Sequence, residues 1–496
     1  MVETYLGNKG YTILKNSLTI QQQTFIRSEL TIKPHVLGSP IQSNVTYPSY
    51  RESGNKFYVP RYFGIEHFGE PITIKISNGD DINLNFNGQM RDYQVPVVSS
   101  FLNYLSNKES ASGLLDLPCA WGKTSASLYI LSQLKKKTLV IVHKEFLLNQ
   151  WVERIKQFLP EARIGKIQGS IIDIENKDIV LGMLQSISMK DYPPEVFSSF
   201  GFTIIDEVHH ISSETFSCAL FKLVTKYMLG LSATMNRKDG TTKVFKYFLG
   251  DIVQKVVRKG EHDVIVRGFQ YEVNDEEFNE VDYDFRGNPQ YSKMITKLCS
   301  YNRRSEFIIK IVKDLINENQ KSQIMILAHN KSLLNYLYKG IEFQNIGSVG
   351  YYIGGMKEKA LKESESKQII IATYAMASEA LDIKTLTTLI LATPKTDVTQ
   401  AIGRILRVKH EKPVVVDIID RHDVIVCTRL DRLSRSSADL LSIIPVLQDI
   451  GVTLFFCEQF GEVPIVYPKP EGQKGLRSKF DMNDMANQIM LMVLSA

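Results

Sequence analysis

Two short apolar runs, each ending in residues suited to phosphate chemistry, constrain the fold of this chain most. Residues 112–117 run into Pro118-Cys119-Ala120-Trp121-Gly122-Lys123-Thr124, and Phe202–Ile205 runs into Asp206-Glu207-Val208-His209-His210. Further runs of the same kind, Thr138–Val142, 178–183 and 227–231, alternate with helical stretches such as 147–158. Short apolar runs alternating with amphipathic segments predict a parallel sheet buried on both faces by crossover helices.

The residue types at the run ends point to nucleotide hydrolysis. Gly122, Lys123 and Thr124, placed between a strand and a helix, set backbone N–H groups and an ammonium around a triphosphate, with the Thr124 hydroxyl available to magnesium. Asp206 is then the metal-holding carboxylate, and Glu207 orients or deprotonates the attacking water. Gly-Lys-Thr alone recurs in ordinary loops, and a single Asp-Glu pair is usually a solvated surface pair; the order and placement of both carry the assignment. A strict P-loop opens on glycine, where this chain has Leu117, and often has a second glycine where it has Ala120. Upstream, Tyr93 could stack on an adenine and Gln94 could read its edge, although a lone Tyr-Gln is a weak signal. Gly230-Leu231-Ser232-Ala233-Thr234 presents two hydroxyls at a strand end, and His209 could join them to the acidic motif; a plain turn and a structural histidine are the alternatives.

A charged, turn-rich connection around 274–289 precedes a second apolar series, at Gln323–Ala328, 368–372 and 388–392. The fold class is therefore α/β, with two tandem lobes. The second carries Gln400-Ala401-Ile402-Gly403-Arg404-Ile405-Leu406-Arg407. Arg404 and Arg407 lie three apart on one helix face, an arrangement suited to arginine fingers, although Arg-x-x-Arg in isolation is more often a solvated helix face. Fingers supplied by a second lobe would make hydrolysis depend on closure.

Taken in order, CAWGKT, VHKEFLLNQW (142–151), IGKIQG (164–169), DEVHH, GLSAT, ATYAMASEALDI (372–383) and QAIGRILR resemble a superfamily 2 helicase of the DExH type with two RecA-like lobes. The pattern is similar to the branch holding poxvirus transcript-release helicases, giant-virus and phage helicases, and the large translocase subunit of eukaryotic transcription and repair machinery. The resemblance covers about residues 1–420; Ala120, Ala380 and Met235 depart from the usual glycines and proline. It implies ATP and Mg2+ as cofactors, Gln400 at the nucleotide, Asp382 in the coupling set with His209, Ser232 and Thr234, and 3′ to 5′ translocation on nucleic acid, expected to be DNA. His143, Lys144, Gln150 and Gln168 of the first lobe, with Asn330, Lys331, Gly355 and Thr373 of the second, match positions expected to face the strand. Backbone contacts of this kind position without reading sequence and weaken with salt. Transcription machinery is an expected partner, and a viral setting is implied.

After Val414–Asp420, an apolar strand closing the second lobe, the pattern changes. Residues 423–436 read DVIVCTRLDRLSRS, a strand turning into a helix that sets Arg432 and Arg435 on one face. With a helix over 438–449, a strand over 451–456 and a further helical stretch over 482–495, this resembles the resolvase/invertase catalytic domain of serine recombinases, whose two arginines hold the scissile phosphate. The segment carrying that family's nucleophilic serine does not precede it, so strand exchange by this chain is not expected. The apolar stretch 489–494 favours self-association or pairing with an intact serine recombinase. A genuine fusion, a rearranged gene and an assembly artefact remain open. A DNA-binding recombination accessory and an inactive fusion product are the alternatives to a working motor.

Composition adds bounds. The 496 residues, 44% hydrophobic and 23% charged, suit two to four domains. The divisions expected are an accessory domain over 1–85, an ATP-binding lobe over 86–270, a second lobe over 271–420 and the resolvase-like segment over 421–496. A net charge of +5 is compatible with nucleic acid without requiring it. Five scattered cysteines suggest neither a zinc site nor a disulfide framework, and no apolar run is long enough for a bilayer, so an intracellular, soluble protein without a membrane partner is expected. In the accessory part, Lys56-Phe57-Tyr58-Val59-Pro60-Arg61-Tyr62-Phe63-Gly64 interleaves aromatic and basic residues. It could stack on single-stranded nucleic acid, or form a partly buried strand with snorkelling charges.

Overall fold

The apolar runs form two parallel sheets in the computed structural model, which describes residues 2–34, 46–118, 121–233, 235, 240–256, 265–285, 287, 290–379, 383–395, 398, 401–402, 413–420, 424–427, 453–456 and 465–467. The chain divides into two compact units, 1–260 and 261–496.

In the first unit lie β1 (Ala111–Asp116), β2 (Thr138–Val142), β3 (Ile164–Gln168), β4 (Ile179–Met183), β5 (Phe202–Ile205), β6 (Tyr227–Ser232) and β7 (Ile252–Lys255). Their spatial order is β3-β4-β2-β5-β6-β1-β7, with the short antiparallel strand Ile171–Asp173 beside β3. Every residue of β2, β4 and β5 is buried. The pleat explains why these runs are continuously apolar rather than alternating. Val140 and Val142 of β2 join a core with Phe101, Trp151 and Phe202 on one face, while Leu139 and Ile141 join Phe200, Phe245 and Leu249 on the other.

Parallel register brings the carboxyl ends of these strands to one edge. Ile205 pairs with Ile141 and with Gly230, and Ser232 pairs with Asp116. Helices start from that edge, two of them bearing on the site. Helix α1 (Lys123–Leu134) follows β1, and α2 (Glu145–Phe158) follows β2, beginning two residues before the expected 147. Leu147, Leu148, Trp151 and Ile155 form its buried stripe at helical spacing.

Residues 1–85 build a five-stranded sheet in the order Arg51–Glu52, Lys56–Val59, Gly10–Leu14, Thr4–Gly7, Thr73–Ile74. The aromatic-basic segment is consumed by folding. Phe57, Val59 and Phe63 are fully buried, and Arg61, 8% exposed, donates from its guanidinium to the Ser110 hydroxyl at 3.0 Å and to the Ser110 carbonyl. Tyr62 accepts the Ser112 N–H at 2.9 Å and donates to its carbonyl at 2.6 Å. These residues fasten the accessory sheet to the start of β1, so of the two readings of the segment the partly buried strand holds: Phe57, Phe63 and Arg61 are spent inside the unit.

The second unit contains an all-parallel sheet of β8 (Ile265–Tyr271), β9 (Gln323–Ala328), β10 (Val349–Tyr352), β11 (Ile369–Thr373), β12 (Leu386–Leu391) and β13 (Val414–Asp420), in the order β8-β13-β12-β9-β11-β10. The expected boundary at 270/271 falls inside β8, which pairs with β13 from Ile265↔Val414 to Tyr271↔Asp420. Strand β13 also pairs with β12, and among the described residues it is the last strand of this sheet, ending at Asp420. Beyond it, Val424–Cys427 pairs in parallel with Thr453–Phe456, which pairs antiparallel with Ile465–Tyr467, in a separate sheet. The expected helices over 438–449 and 482–495, with the apolar stretch 489–494, lie outside the described residues.

Candidate nucleotide-hydrolysis site

Gly122 caps α1 with φ +97°, a left-handed conformation that glycine adopts without steric cost. A Cβ there would stand 2.4 Å from Gln94 Nε2. Gln94 is almost fully buried; its amide donates to the Trp121 carbonyl at 3.0 Å, and its oxygen accepts the Arg91 N–H at 3.1 Å. Gln94 thus braces the P-loop backbone, with both ends of its amide engaged by the chain itself. Tyr93 is 48% exposed beside it, edge-on to Trp121, and donates to the same carbonyl at 3.3 Å. Lys123 and Thr124 follow in the first turn of α1, where helix N–H groups and the helix dipole favour an anion.

Across the same edge, Lys123 Nζ meets Glu207 Oε1 at 2.8 Å, with the two side chains 13% and 23% exposed. Glu207 has φ +48° and ψ +57°, a conformation costly for a residue with a side chain and concentrated at functional sites. It turns the chain out of β5 so that Asp206 and Glu207 face the P-loop together. Asp206 is held on both oxygens: Oδ2 accepts the Trp151 indole N–H at 2.9 Å, and Oδ1 accepts the Glu207 N–H at 3.0 Å. Burial raises the Asp206 pKa, and the neighbouring Glu207 charge raises it further. The Asp206 carboxylate and the Thr124 hydroxyl at the start of α1 are hard-oxygen donors, the kind of group that fits Mg2+.

Behind the acidic pair, His209 Nδ1 lies 2.9 Å from Ser232 Oγ and 3.5 Å from Glu207 Oε2. Ser232 is fully buried at the end of β6. His210 stacks between His209, at 4.3 Å between ring centroids, and His143, at 3.9 Å. Burial, with the flanking His143 and His209, holds the His210 pKa down to about 3, and burial also lowers that of His143. The ring nitrogens of His143 are shielded from solvent, so the ring belongs to this stack.

The residues expected to face nucleic acid follow the carboxyl ends of strands in both units. Lys144 caps α2 after β2, Gln150 is partly exposed on α2, and Gln168 ends β3, where Lys166 donates to it at 3.1 Å. In the second unit, Asn330 and Lys331 follow β9, Thr373 ends β11, and Gly355 lies three residues past β10 with φ +92° and open space around it. Both sets occupy the edge at which open α/β sheets bind ligands. Thr234, Asp382, Gln400, Arg404, Arg407, Arg432 and Arg435 lie outside the described residues, as do Cys119 and Ala120 of the P-loop.

Trp151 and His210, which the motifs contain without a role of their own, belong to the site. Trp151 carried a signal: it is one of two tryptophans in the chain, inside a motif already singled out.

A helix opening on Gly-Lys-Thr across from a half-buried Asp-Glu pair, on strands of one parallel sheet, defines a P-loop nucleotide hydrolase. Residues 87–237 match the family described as type III restriction enzyme, res subunit, and residues 412–487 match the resolvase N-terminal domain. A protein of Acanthamoeba polyphaga mimivirus, named "Putative ATP-dependent RNA helicase L396", is 36% identical over 431 residues, covering 84% of this chain and 82% of its own length. "Putative ATP-dependent RNA helicase QP509L" of African swine fever virus (isolate Pig/Kenya/KEN-50/1950) is 27% identical over 336 residues, covering 63% of this chain and 65% of that protein. The crystal structure of the Pyrococcus furiosus Hef helicase domain aligns with a TM-score of 0.45 at 13% identity, covering 67% of this chain and 95% of that one. The chain belongs to the superfamily 2 helicases, in the family of these viral proteins, and carries a resolvase-like fragment joined after its helicase part. It is an ATP-using helicase whose substrate is nucleic acid. Among the described residues, no helix is long and apolar enough to cross a membrane.

Proposed function

We propose that this chain couples Mg2+-dependent ATP hydrolysis to 3′ to 5′ movement along DNA, with Lys123, Thr124, Asp206, Glu207, Arg404 and Arg407 as its chemical residues. The contact between Lys123 and Glu207 carries this reading, because it joins the phosphate-binding lysine to the water-activating carboxylate. Phosphate oxygens compete with Glu207 for the Lys123 ammonium. Nucleotide binding therefore releases Glu207 to accept a proton from, or orient, the attacking water. Thr124 and Asp206 would hold Mg2+, which neutralises phosphate charge when bound. Arg404 and Arg407 would supply positive charge where negative charge develops on the phosphate, and Gln400 would touch the nucleotide near them. Tyr93 offers an aromatic face to the base, while Gln94 keeps the P-loop in shape. His209 and Ser232, with Thr234 and Asp382, would transmit nucleotide state.

Lys144, Gln150, Gln168, Asn330, Lys331, Gly355 and Thr373 would hold the strand by its backbone, with His143 acting from behind through its stack on His210. Arg432 and Arg435 would give the resolvase-like part a phosphate contact, and pairing with an intact serine recombinase or with transcription machinery would follow from the two families involved. The relatives' names favour a second reading, in which the strand is RNA. Partial duplexes with 3′ or 5′ overhangs, made in DNA and in RNA, test both. Unwinding of the 3′-tailed DNA supports the first reading; unwinding confined to RNA supports the second, and 5′-tailed preference overturns the polarity.

A further inference from the structure

Helix α2 carries two kinds of residue at adjacent positions. Gln150 stands in the set proposed to face nucleic acid, and the next residue, Trp151, turns inward at 2% exposure to reach the acidic motif. Its indole N–H donates to Asp206 Oδ2 at 2.9 Å. The opposite oxygen, Oδ1, accepts the Glu207 N–H at 3.0 Å, while the Asp206 N–H donates to the Ile141 carbonyl of β2 at 3.1 Å. The carboxylate is therefore clamped between its own chain and a side chain from another element. Packing alone does not demand this donor. Leu147, Leu148 and Ile155 fill the rest of the stripe with apolar side chains, and a phenyl ring at 151 would occupy the same core without a polar handle. The helix starts directly after Lys144, so the strand-facing segment and the indole on Asp206 belong to one continuous element.

We propose that Trp151 is a positioning residue: its indole N–H holds Asp206 in the orientation that binds a divalent cation, and α2 thereby links the strand-facing segment to the metal-holding carboxylate. This rests on the reading of Asp206 as the metal ligand. The clamp fixes Oδ2 toward the helix, leaving the remaining lone pairs of the carboxylate for the cation. A charge-assisted hydrogen bond of this kind restricts the carboxylate rotation that would otherwise have to be frozen when the cation binds.

The test measures Mn2+ binding to the full chain saturated with ADP, reading free Mn2+ by electron paramagnetic resonance, for the unaltered protein, Trp151→Phe and Asp206→Asn. ADP affinity is measured separately in EDTA. Trp151→Phe is expected to weaken Mn2+ binding by about tenfold, the scale of a hydrogen bond to a charged group, with ADP affinity in EDTA unchanged. Adding single-stranded nucleic acid is expected to alter Mn2+ affinity in the unaltered protein, and less so in Trp151→Phe. Should Trp151→Phe lower only the melting temperature and leave Mn2+ binding intact, Trp151 is a packing residue and the proposal is overturned. If Asp206→Asn also binds Mn2+ normally, the failure lies in the reading of Asp206, and the proposal falls with it. Should Trp151→Phe not fold, 3-benzothienylalanine at position 151 keeps the ring shape and removes the N–H, and the same outcomes decide.

Discussion

Replacing Gly122 by alanine perturbs the P-loop at a single atom, and the structure sets the size of the effect. At φ +97° an L-residue costs about 1–2 kcal/mol relative to its preferred regions. The new methyl would stand 2.4 Å from Gln94 Nε2 and 3.1 Å from Ser125 Oγ. Gln94 is only 2% exposed, so its amide has no solvent to retreat into and must give up its bond to the Trp121 carbonyl. Losing that bond costs about 1 kcal/mol more. The sum is about 2–3 kcal/mol, equivalent to roughly a 30- to 150-fold change in an equilibrium constant. The cost appears either as a lower unfolding transition or, if the loop relaxes, as weaker nucleotide binding when the cradle must re-form. Thermal melting and titration of a fluorescent ATP analogue on the same protein measure both shares. Gly54→Ala is the control, because Gly54 has no left-handed φ and nothing within 4 Å of an added Cβ; it should stay within about 0.5 kcal/mol of the unaltered chain. Gly122→Ala matching that control in both measurements would refute the account of the loop.

Three further outcomes follow from the packing and the ion pairs. A chain ending at Asp420 should keep its ATPase activity, because β13 completes the second sheet by pairing with β8 and β12; loss of turnover with intact folding would show that the resolvase-like part contributes to the motor. Phe63→Ala should destabilise the accessory sheet by about 3–5 kcal/mol, since the ring is fully buried, and limited proteolysis should then cut within residues 1–85. Asp178 accepts the Arg163 guanidinium at 2.6 and 2.9 Å, and these bonds hold its carboxyl below the usual carboxylate range. A folded-state pKa lowered in this way stabilises fully above about pH 4, the unfolded value, and the stabilisation is lost as pH falls through the folded value. Asp178→Asn should therefore melt earlier at neutral pH and show a shallower acid limb than the parent; parallel limbs would contradict the pair.

Much of the fold was legible because the strands carrying the chemistry are buried on both faces. Thr138–Val142, Phe202–Ile205 and Gln323–Ala328 stand out as apolar runs for that reason, and their bounds, with those of Val414–Asp420, match the structure. Strand β8 did not stand out. Its residues are largely exposed, its pattern mixes charge with aromatics, and only pairing with β13, far along the chain, makes it a strand. Lys56–Val59 alternates with period two in the structure, Phe57 and Val59 buried and Lys56 and Tyr58 partly exposed, a signal that the interleaving of aromatic and basic residues masked. At the site, the residue types at 122–124 and 206–207 were readable because phosphate and metal chemistry restricts them. Several arrangements were not readable, because they depend on distances between elements distant in sequence: the bracing of the P-loop by Gln94, the left-handed turn at Glu207, the three-histidine stack and the hold of Trp151 on Asp206.

The central claim is that the Lys123–Glu207 site drives a nucleic-acid-dependent motor, and steady-state ATP turnover with and without single-stranded DNA or RNA tests it most directly. The account predicts that nucleic acid raises turnover in the unaltered chain, and that Lys123→Ala and Glu207→Gln each abolish the stimulated rate while the protein still melts cooperatively. Turnover left unchanged by both substitutions would contradict it.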